Sequence, residues 1–258
     1  MNVAQPITFE SMRVAREFAD PESQVELYAA WFPEDEPAIP PHCKKLPPLD
    51  RSILDFHTFG QPRKLPLIQD ILDRLYDATD AEYLIYTHVD ITLMPHFYSA
   101  LTKLFESGAD ALSITRRTIR AEYSSASELP LMYAELGEQH PGHDCFVFRR
   151  GTYRKFDLGR ACIGLRLFAR IVLLNIIVYA KKFEIHSDLH MTFHLGDDRA
   201  WMGDTFADYT EFQRNEMRTL LRKYHAEGKL KDDPFIIRQI KRNAPDLGHK
   251  RRRGPVDC

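Results

Sequence analysis

A lone carboxylate follows the most strand-like run of the chain. Residues 83–86 (YLIY) form a short apolar run typical of a buried strand, and the chain continues through Thr87, His88 and Val89 to Asp90. In open α/β sheets, ligands bind beyond the carboxyl ends of the strands. Asp90 is therefore a candidate for contacting a metal ion or a phosphate group. An acidic turn that caps the following helix explains these residues equally well.

Basic side chains also follow the ends of predicted strands. Arg63 and Lys64 lie in the loop after a predicted strand over residues 51–59, and Arg116 and Arg117 follow another over residues 109–115. Two arginines just past a strand can clamp a phosphate through charge-assisted hydrogen bonds, or they can lie in a solvated turn. The position slightly favours the clamp.

Residues 184–198 (EIHSDLHMTFHLGDD) combine three histidines with a carboxylate pair at their end. His190 and His194 fall on one face whether the segment is a strand or a helix, so they could share a ligand. A four-residue histidine spacing without an adjacent glutamate is a weak metal signal. Two hydrogen-bonded histidines beneath a loop remain the plain alternative.

The elements that would position these residues alternate along the first half of the chain. Strands are predicted over residues 24–32, 51–59, 83–86, 109–115 and 145–148, and helices over 7–19, 65–78, 97–107, 129–136, 164–183, 210–227 and 233–243. In the first helix, Thr8 is predicted as the cap and Phe18 as part of the core stripe. The alternation predicts an α/β fold with a largely parallel sheet flanked by helices. We expect one domain over residues 1–245 and a basic, disordered tail over 246–258.

Composition narrows the functional classes. The chain has 258 residues, of which 44% are hydrophobic, and its net charge of −2 gives no reason to expect a nucleic-acid partner. The longest apolar stretch, residues 163–180, is interrupted by Arg166, Arg170 and Asn175, which favours a buried helix over a transmembrane span. Four cysteines without C-x-x-C spacing and an N-terminus without a signal-peptide pattern predict a cytoplasmic protein. Contact of the tail with a membrane surface is left open.

Over roughly residues 6–201, these stretches resemble the GT-A fold of nucleotide-sugar-dependent glycosyltransferases, a Rossmann-like fold with a mixed, mostly parallel sheet. Residues 7–12 (ITFESM) are similar to the first helix of that family. Residues 86–91 (YTHVDI) look like its D-x-D strand end, and residues 140–148 (HPGHDCFVF) look like the later strand on the acceptor side. The D-x-D position is degenerate, because His88 replaces the first carboxylate.

The resemblance implies metal-assisted transfer of a sugar from a nucleotide-diphosphate donor to a hydroxyl acceptor. A manganese or magnesium ion would be held by Asp90 with His190 or His194, and it would neutralise the leaving diphosphate together with basic side chains. The nucleotide-binding candidates are Arg63, Lys64, His88, Asp90, Arg116 and Arg117. An inverting enzyme also needs a general base, for which Asp144 is the first candidate, followed by Asp197 and Asp198.

Three alternatives belong to other classes. The main alternative is a non-catalytic GT-A-like binding or scaffold domain. The N-terminus motivates it, because only residues 1–5 precede the first predicted helix, whereas the family's first strand carries nucleotide-binding residues. A nucleotidyltransferase is disfavoured because it would carry a glycine-rich basic loop near residue 10. A metal hydrolase would have to use His186, His190, His194 and Asp198. A serine hydrolase is excluded because this sequence has no G-x-S-x-G motif.

Overall fold

The computed structural model describes residues 3–165, 167–197 and 206–249. Within these ranges the helices are α1 (Ala4–Glu17), α2 (Ile68–Ala78), α3 (Phe97–Glu106), α4 (Leu129–Tyr133), α5 (Arg150–Tyr153), α6 (Phe168–Tyr179), α7 (Ala207–Ala226) and α8 (Pro234–Asn243). The strands are β1 (Tyr28–Ala29), β2 (Lys44–Lys45), β3 (Tyr83–Thr87), β4 (Thr92–Leu93), β5 (Ala111–Ile114), β6 (Arg117–Ile119), β7 (Glu138–Gln139), β8 (Cys145–Arg149), β9 (Phe183–His186) and β10 (Thr192–Leu195).

The main sheet has the strand order β3-β8-β5-β9. β8 runs antiparallel to β3 and β5, and β9 runs parallel to β5, so three of the four strands point the same way. Cys145 at the start of β8 lies opposite both Thr87 at the end of β3 and Ile114 at the end of β5. The predicted class, an α/β fold with a mixed sheet flanked by helices, is confirmed.

A second sheet has the order β4-β10-β6-β7 and continues from the ends of the first. β4 begins two residues after Asp90 and pairs antiparallel with β10, with Thr92 opposite Phe193. On its other side β10 pairs parallel with β6, with His194 opposite Thr118. This pairing brings the middle of β10 to the turn that follows β3.

The chain divides into two compact units. The first comprises Met1–Arg51, Asp70–Phe156 and Tyr179–Ala200 and contains every described strand; the second comprises Ser52–Gln69, Asp157–Val178 and Trp201–Cys258. The first unit is centred on buried side chains such as Phe97, Leu112 and Val147. The second includes a cluster around Ile53 and Tyr209. The prediction of a single domain over residues 1–245 stays a prediction.

Most predicted helices are present with shifted ends, but two local predictions in the first helix are wrong. α1 begins at Ala4, so Thr8 is not a cap; it is buried inside the helix, with its hydroxyl 3.3 Å from that of Thr92. Phe18 follows the helix and is 66% exposed instead of joining the core. No strand precedes α1 in the part of the chain that the structure describes.

Two predicted strands also need correction. Residues 51–59 form no strand, because the Asp55 carboxylate accepts from the Ser52 N–H and the Ser52 hydroxyl accepts from the Leu54 N–H around a 3-10 turn at Ile53–Asp55. The apolar side chains of residues 51–59 are carried by irregular backbone. The alternation of apolar and polar residues cannot distinguish such a segment from a strand. The predicted strand 24–32 shrinks to Tyr28–Ala29, which pairs with Lys44–Lys45, a segment for which no strand was predicted.

The apolar stretch 163–180 contains the 12-residue helix α6, which is buried along most of its length. No helix among the described residues is both long and apolar enough to cross a membrane. At the other end of the chain, the predicted tail begins within a 3-10 turn, Pro245–His249. Residues 250–258 lie outside the described residues.

Candidate functional site

The strand register brings three predicted site residues to one edge of the main sheet. β3 and β5 are parallel and both end opposite Cys145. Asp90 lies three residues after the end of β3, Arg116 two residues after the end of β5, and Asp144 immediately before β8. All three therefore leave the sheet at the same edge, within the first compact unit.

Asp90 and His194 form an ion pair at this edge. The His194 Nε2 atom lies 3.4 Å from the Asp90 Oδ2 atom, and the His194 side chain is 8% exposed against 39% for Asp90. The other ring nitrogen, Nδ1, lies 2.8 Å from the Gly196 carbonyl oxygen. Because both ring nitrogens face acceptors, the environment favours the doubly protonated imidazolium.

The pKa shifts of this pair agree with that geometry. Burial alone would lower the pKa of His194, but the hydrogen bond to Asp90 and the Gly196 carbonyl outweigh it and raise the pKa. Burial alone would raise the pKa of Asp90, but the hydrogen bond from His194 and the neighbouring His88 bring it below its ordinary value. The two groups thus hold each other charged.

Arg116 lies between two carboxylates. Its Nη1 atom is 3.3 Å from the Asp144 Oδ1 atom, and its Nη2 atom is 3.9 Å from the Asp197 Oδ1 atom. Arg116 and Asp144 are 13% and 14% exposed, whereas Asp197 is 35% exposed. The buried Nε atom of Arg116 has no hydrogen-bond partner among the described residues. The guanidinium is thus anchored by Asp144, and its Nη2 atom faces the more exposed Asp197.

His88 and Asp144 complete the charge pattern. Burial is the main cause that lowers the pKa of His88. The positive charges of Arg116 and His194 lower it further, and the carboxylates of Asp90 and Asp144 raise it by less. The neutral form of the ring is therefore favoured. Burial alone would raise the pKa of Asp144, but His140 and Arg116 lower it below its ordinary value. A carboxylate held this way is a weak proton acceptor.

Two polar contacts of the 140–144 turn were not predicted from the sequence. The His140 Nδ1 atom accepts a hydrogen bond from the Gly142 N–H at 3.0 Å and lies 3.7 Å from the Asp144 Oδ2 atom. The His143 Nδ1 atom lies 2.8 Å from the Ser113 hydroxyl of β5. The H-P-G-H-D sequence was the available signal, but only the register of β8 against β5 shows which residues these histidines meet.

Several predicted site residues lie elsewhere. His190 has a left-handed backbone, with φ of 46°, and its charged neighbours are Arg117 and His96. The Arg117 guanidinium bonds the carbonyls of Leu136 and Gly137. His186 pairs with Glu184 on β9.

The other cationic candidates belong to the second compact unit. The Arg63 guanidinium lies over the Phe206 ring at 4.3 Å, and the Arg63 N–H donates to the Tyr209 hydroxyl at 2.7 Å. Lys64 follows in the same loop. Asp198 lies outside the described residues, so its predicted role stays a prediction.

The donor set fits a divalent metal only in part. Asp90 and His194 are two of the predicted ligands, and the structure brings them together. Among residues 3–165, 167–197 and 206–249, however, no group of three or more His, Cys, Asp or Glu side chains is arranged to hold a metal ion.

Comparison with known proteins gives distant structural matches. No protein-family model matches the chain, and no curated protein matches it. Among solved structures, S. aureus TarS 1–349 in complex with UDP-GlcNAc is 14% identical, with a TM-score of 0.42 over 81% of this chain and 58% of that chain. S. aureus TarS 1–349 alone is 11% identical, with a TM-score of 0.44 over 86% and 60%. The chain thus spans less than two thirds of the length of these structures.

Proposed function

We propose that the chain is a glycosyltransferase that transfers a sugar from a nucleotide-diphosphate donor to a hydroxyl acceptor. The observation that carries the proposal is the convergence of Asp90, His194, Arg116 and Asp144 at one sheet edge. Beyond the carboxyl ends of parallel strands is where α/β proteins bind anionic ligands. The sequence resemblance at residues 86–91 and 140–148 supports the same function.

In this proposal the cationic side chains receive the diphosphate. Arg116 is held in place by Asp144, and its Nη2 atom, on the side of the more exposed Asp197, can donate to phosphate oxygens. His194, charged while it is bound to Asp90, adds a second positive group at the same edge. Preorganised donors of this kind stabilise the negative charge that develops as the sugar–phosphate bond breaks.

The general base is better assigned to Asp197 than to Asp144. Asp144 is buried and bound to Arg116, and its lowered pKa makes it a weak base. Asp197 is more exposed, and its Oδ1 atom lies 3.9 Å from the Arg116 Nη2 atom. Within the proposal, Asp144 therefore positions Arg116, and Asp197 accepts the proton of the acceptor hydroxyl.

A thermal-shift titration tests donor binding. UDP, GDP, CDP and ADP are each added to the wild type with and without manganese. A ligand at a hundredfold excess over its Kd stabilises the fold by about 2.7 kcal/mol, which is a rise in Tm of several degrees for a chain of this size. We expect one diphosphate to raise the Tm, and the shift to be lost in Asp90→Ala and Arg116→Gln.

Asp80→Ala is the matched control, because Asp80 is fully exposed and lies in the same compact unit. This variant should retain the shift. If no diphosphate changes the Tm under any condition, the proposal that the chain binds a nucleotide-diphosphate donor is wrong. If a diphosphate binds but the matching nucleotide sugars are neither hydrolysed nor transferred, the non-catalytic binding domain replaces the enzyme.

A further inference from the structure

The outermost strand of the main sheet, β9, leaves one side edge of the sheet open in the described structure. This side edge differs from the end of the sheet where the candidate site lies. β9 pairs with β5 on one side, and no described strand pairs with its other side. Open edges can template pairing with another chain, and proteins usually guard them with charges, prolines or bulges. At the middle of this edge lies Ile185, which is 52% exposed. A large exposed apolar side chain at an open edge suggests a contact surface.

Backbone hydrogen bonds define which residues of β9 face outward. The carbonyl oxygens of Lys182 and His186 accept from the N–H groups of Asp110 and Thr115, at 3.0 and 2.9 Å. Successive residues in a strand direct their backbone groups to opposite sides, so those of Phe183 and Ile185 face the open edge. An antiparallel partner of the same sequence must therefore place odd-numbered residues opposite odd-numbered residues.

The charges around Ile185 are self-complementary. Within β9, Glu184 and His186 lie symmetrically on either side of Ile185. Two copies paired antiparallel about Ile185 would place each Glu184 opposite the His186 of the other copy. Opposite charges directly across a strand pair stabilise it, whereas like charges destabilise it.

The neighbouring registers are less favourable. Pairing centred on Glu184 would place the two Glu184 side chains opposite each other. Pairing centred on Phe183 would place Ile185 opposite Lys181 and leave the apolar side chain without an apolar partner. Only the register about Ile185 satisfies both the charges and the exposed isoleucine.

The side chains that would form this pattern are already aligned. The Glu184 carboxylate lies 3.1 Å from the Lys182 Nζ atom and 3.1 Å from the His186 Nε2 atom. Glu184 and His186 alternate along β9, and Lys182 directly precedes the strand at the same spacing, so the three side chains share one face of the sheet. We propose that β9 is a homodimer interface, in which two copies pair antiparallel about Ile185 and join their four-stranded sheets into one.

Sedimentation equilibrium of the full chain tests the interface. The wild type should form a reversible dimer at micromolar concentrations, and Ile185→Lys, which places two like charges opposite each other, should weaken dimerisation by about tenfold or more. Leu131→Lys is the matched control, because Leu131 is another exposed apolar residue, at 61%, and lies on α4. This control should dimerise like the wild type. A monomeric wild type, or a dimer unaffected by Ile185→Lys, overturns the proposal.

Mixing two charge variants separates pairing between chains from effects within a chain. In Glu184→Lys two basic side chains, and in His186→Glu two acidic side chains, occupy positions 184 and 186, both within one chain and across the homodimer. In the heterodimer of these two variants, positions 184 and 186 of opposite chains again hold one acidic and one basic side chain, although within each chain these two positions hold side chains of the same kind. Native mass spectrometry should show the heterodimer in clear excess over both homodimers, and a statistical mixture overturns the proposed register. Neither experiment depends on nucleotide binding.

Discussion

At the scale of single residues, the candidate site consists of mutually dependent charges. Asp90 and His194 lower and raise each other's pKa, and Arg116 depends on Asp144 for its position. Both pairs were assembled from residues more than 25 positions apart in the chain. A change in one member therefore alters the charge and position of the other, and this coupling can be measured separately from catalysis.

The Asp90–His194 pair should contribute stability in a defined pH window. The pKa of His194 is raised in the fold, so its contribution is fully present below its unfolded value of about 6.5 and is lost as the pH rises through the folded value. The pKa of Asp90 is lowered, so its contribution is present above its unfolded value and is lost as the pH falls through the folded value. The pair is thus strongest in mildly acidic solution.

A double-mutant cycle of Asp90→Asn and His194→Gln measures this dependence. Because Asp90 is 39% exposed, we expect a coupling of at most about 1 kcal/mol at pH 5.5. The coupling should shrink by pH 8.5. Urea unfolding at both pH values provides the free energies, and a coupling that grows toward alkaline pH would contradict the assignment of His194 as the charged partner.

Replacing only one member of the Arg116–Asp144 pair should lower the free energy of unfolding substantially. Both side chains are about nine-tenths buried from solvent, at 13% and 14% exposure. Either Arg116→Gln or Asp144→Asn leaves a buried charge without its partner, and each should lower the free energy of unfolding by about 3 kcal/mol. The double variant should cost clearly less than the sum of the two. Additive losses in chemical denaturation would show that the two side chains act independently.

The residues of this site were predictable from the sequence only one by one. Asp90 and Arg116 were identified because each follows an apolar strand-like run, and Asp144 because the resemblance to GT-A glycosyltransferases implies a general base. Their pairing was not predictable, since it depends on β8 lying antiparallel between β3 and β5. The same register decides that Arg117 bonds backbone carbonyls while its neighbour Arg116 faces the site.

At the scale of elements, the turn into β7 depends on a glycine. Gly137 has φ of 60°, and a Cβ atom added there would lie 2.5 Å from the Thr118 carbonyl oxygen of β6. Gly108, which ends α3, has φ of 91° but nothing within 4 Å of the added atom. The two positions share the backbone cost of a left-handed alanine and differ in available space.

We therefore expect Gly137→Ala to destabilise the fold by more than Gly108→Ala. Each substitution carries roughly 1–2 kcal/mol of backbone cost, and Gly137→Ala adds about 1–3 kcal/mol because β6 and β7 must separate. Thermal unfolding of the two variants gives the comparison. Equal losses would mean that the β6–β7 pair yields easily, and that the contact with Thr118 carries no cost.

The buried helix α6 depends on one polar side chain. The Asn175 Oδ1 atom accepts from the Asp157 N–H at 2.8 Å and from the Tyr224 hydroxyl at 2.7 Å. The Asn175 Nδ2 atom donates to the carbonyls of Asp157 and Ile171 at 2.8 and 3.0 Å. From the sequence, Asn175 was only an interruption of an apolar run, because its partners lie 18 and 49 residues away.

Replacing Asn175 with leucine should destabilise the second compact unit despite the added apolar surface. The change leaves the Asp157 N–H and the Tyr224 hydroxyl buried without this acceptor, at about 1–3 kcal/mol for each group. Tyr224→Phe removes one hydroxyl and keeps the rest, so it should cost about 1 kcal/mol. Urea denaturation followed by circular dichroism measures both. An Asn175→Leu variant as stable as Tyr224→Phe would refute the network.

At the scale of the whole molecule, the sequence predicted the class of fold better than its irregular parts. Long periodic helices such as α2 and α7 and the apolar strands β3, β5 and β8 were predicted because their patterns repeat over several residues. The segment 51–59 was not, because its cap at Ser52 and Asp55 outweighs its strand-like composition. The division into two compact units was also unpredicted, since the chain passes between them at residues without a linker-like composition.

Segments that are far apart in the chain meet at the candidate site, so ligand binding there should be visible in hydrogen exchange over the full chain. If a nucleotide diphosphate binds at the sheet edge, it should slow amide exchange together in residues 88–91, 115–117, 143–145 and 194–197, which are far apart in sequence and close at that edge. Asp90→Ala should lose this protection at the same ligand concentration, and the exposed control Asp80→Ala should keep it. Protection of one segment alone would place the nucleotide elsewhere, because a ligand held between Arg116 and His194 must cover the ends of β3, β5 and β10 at once.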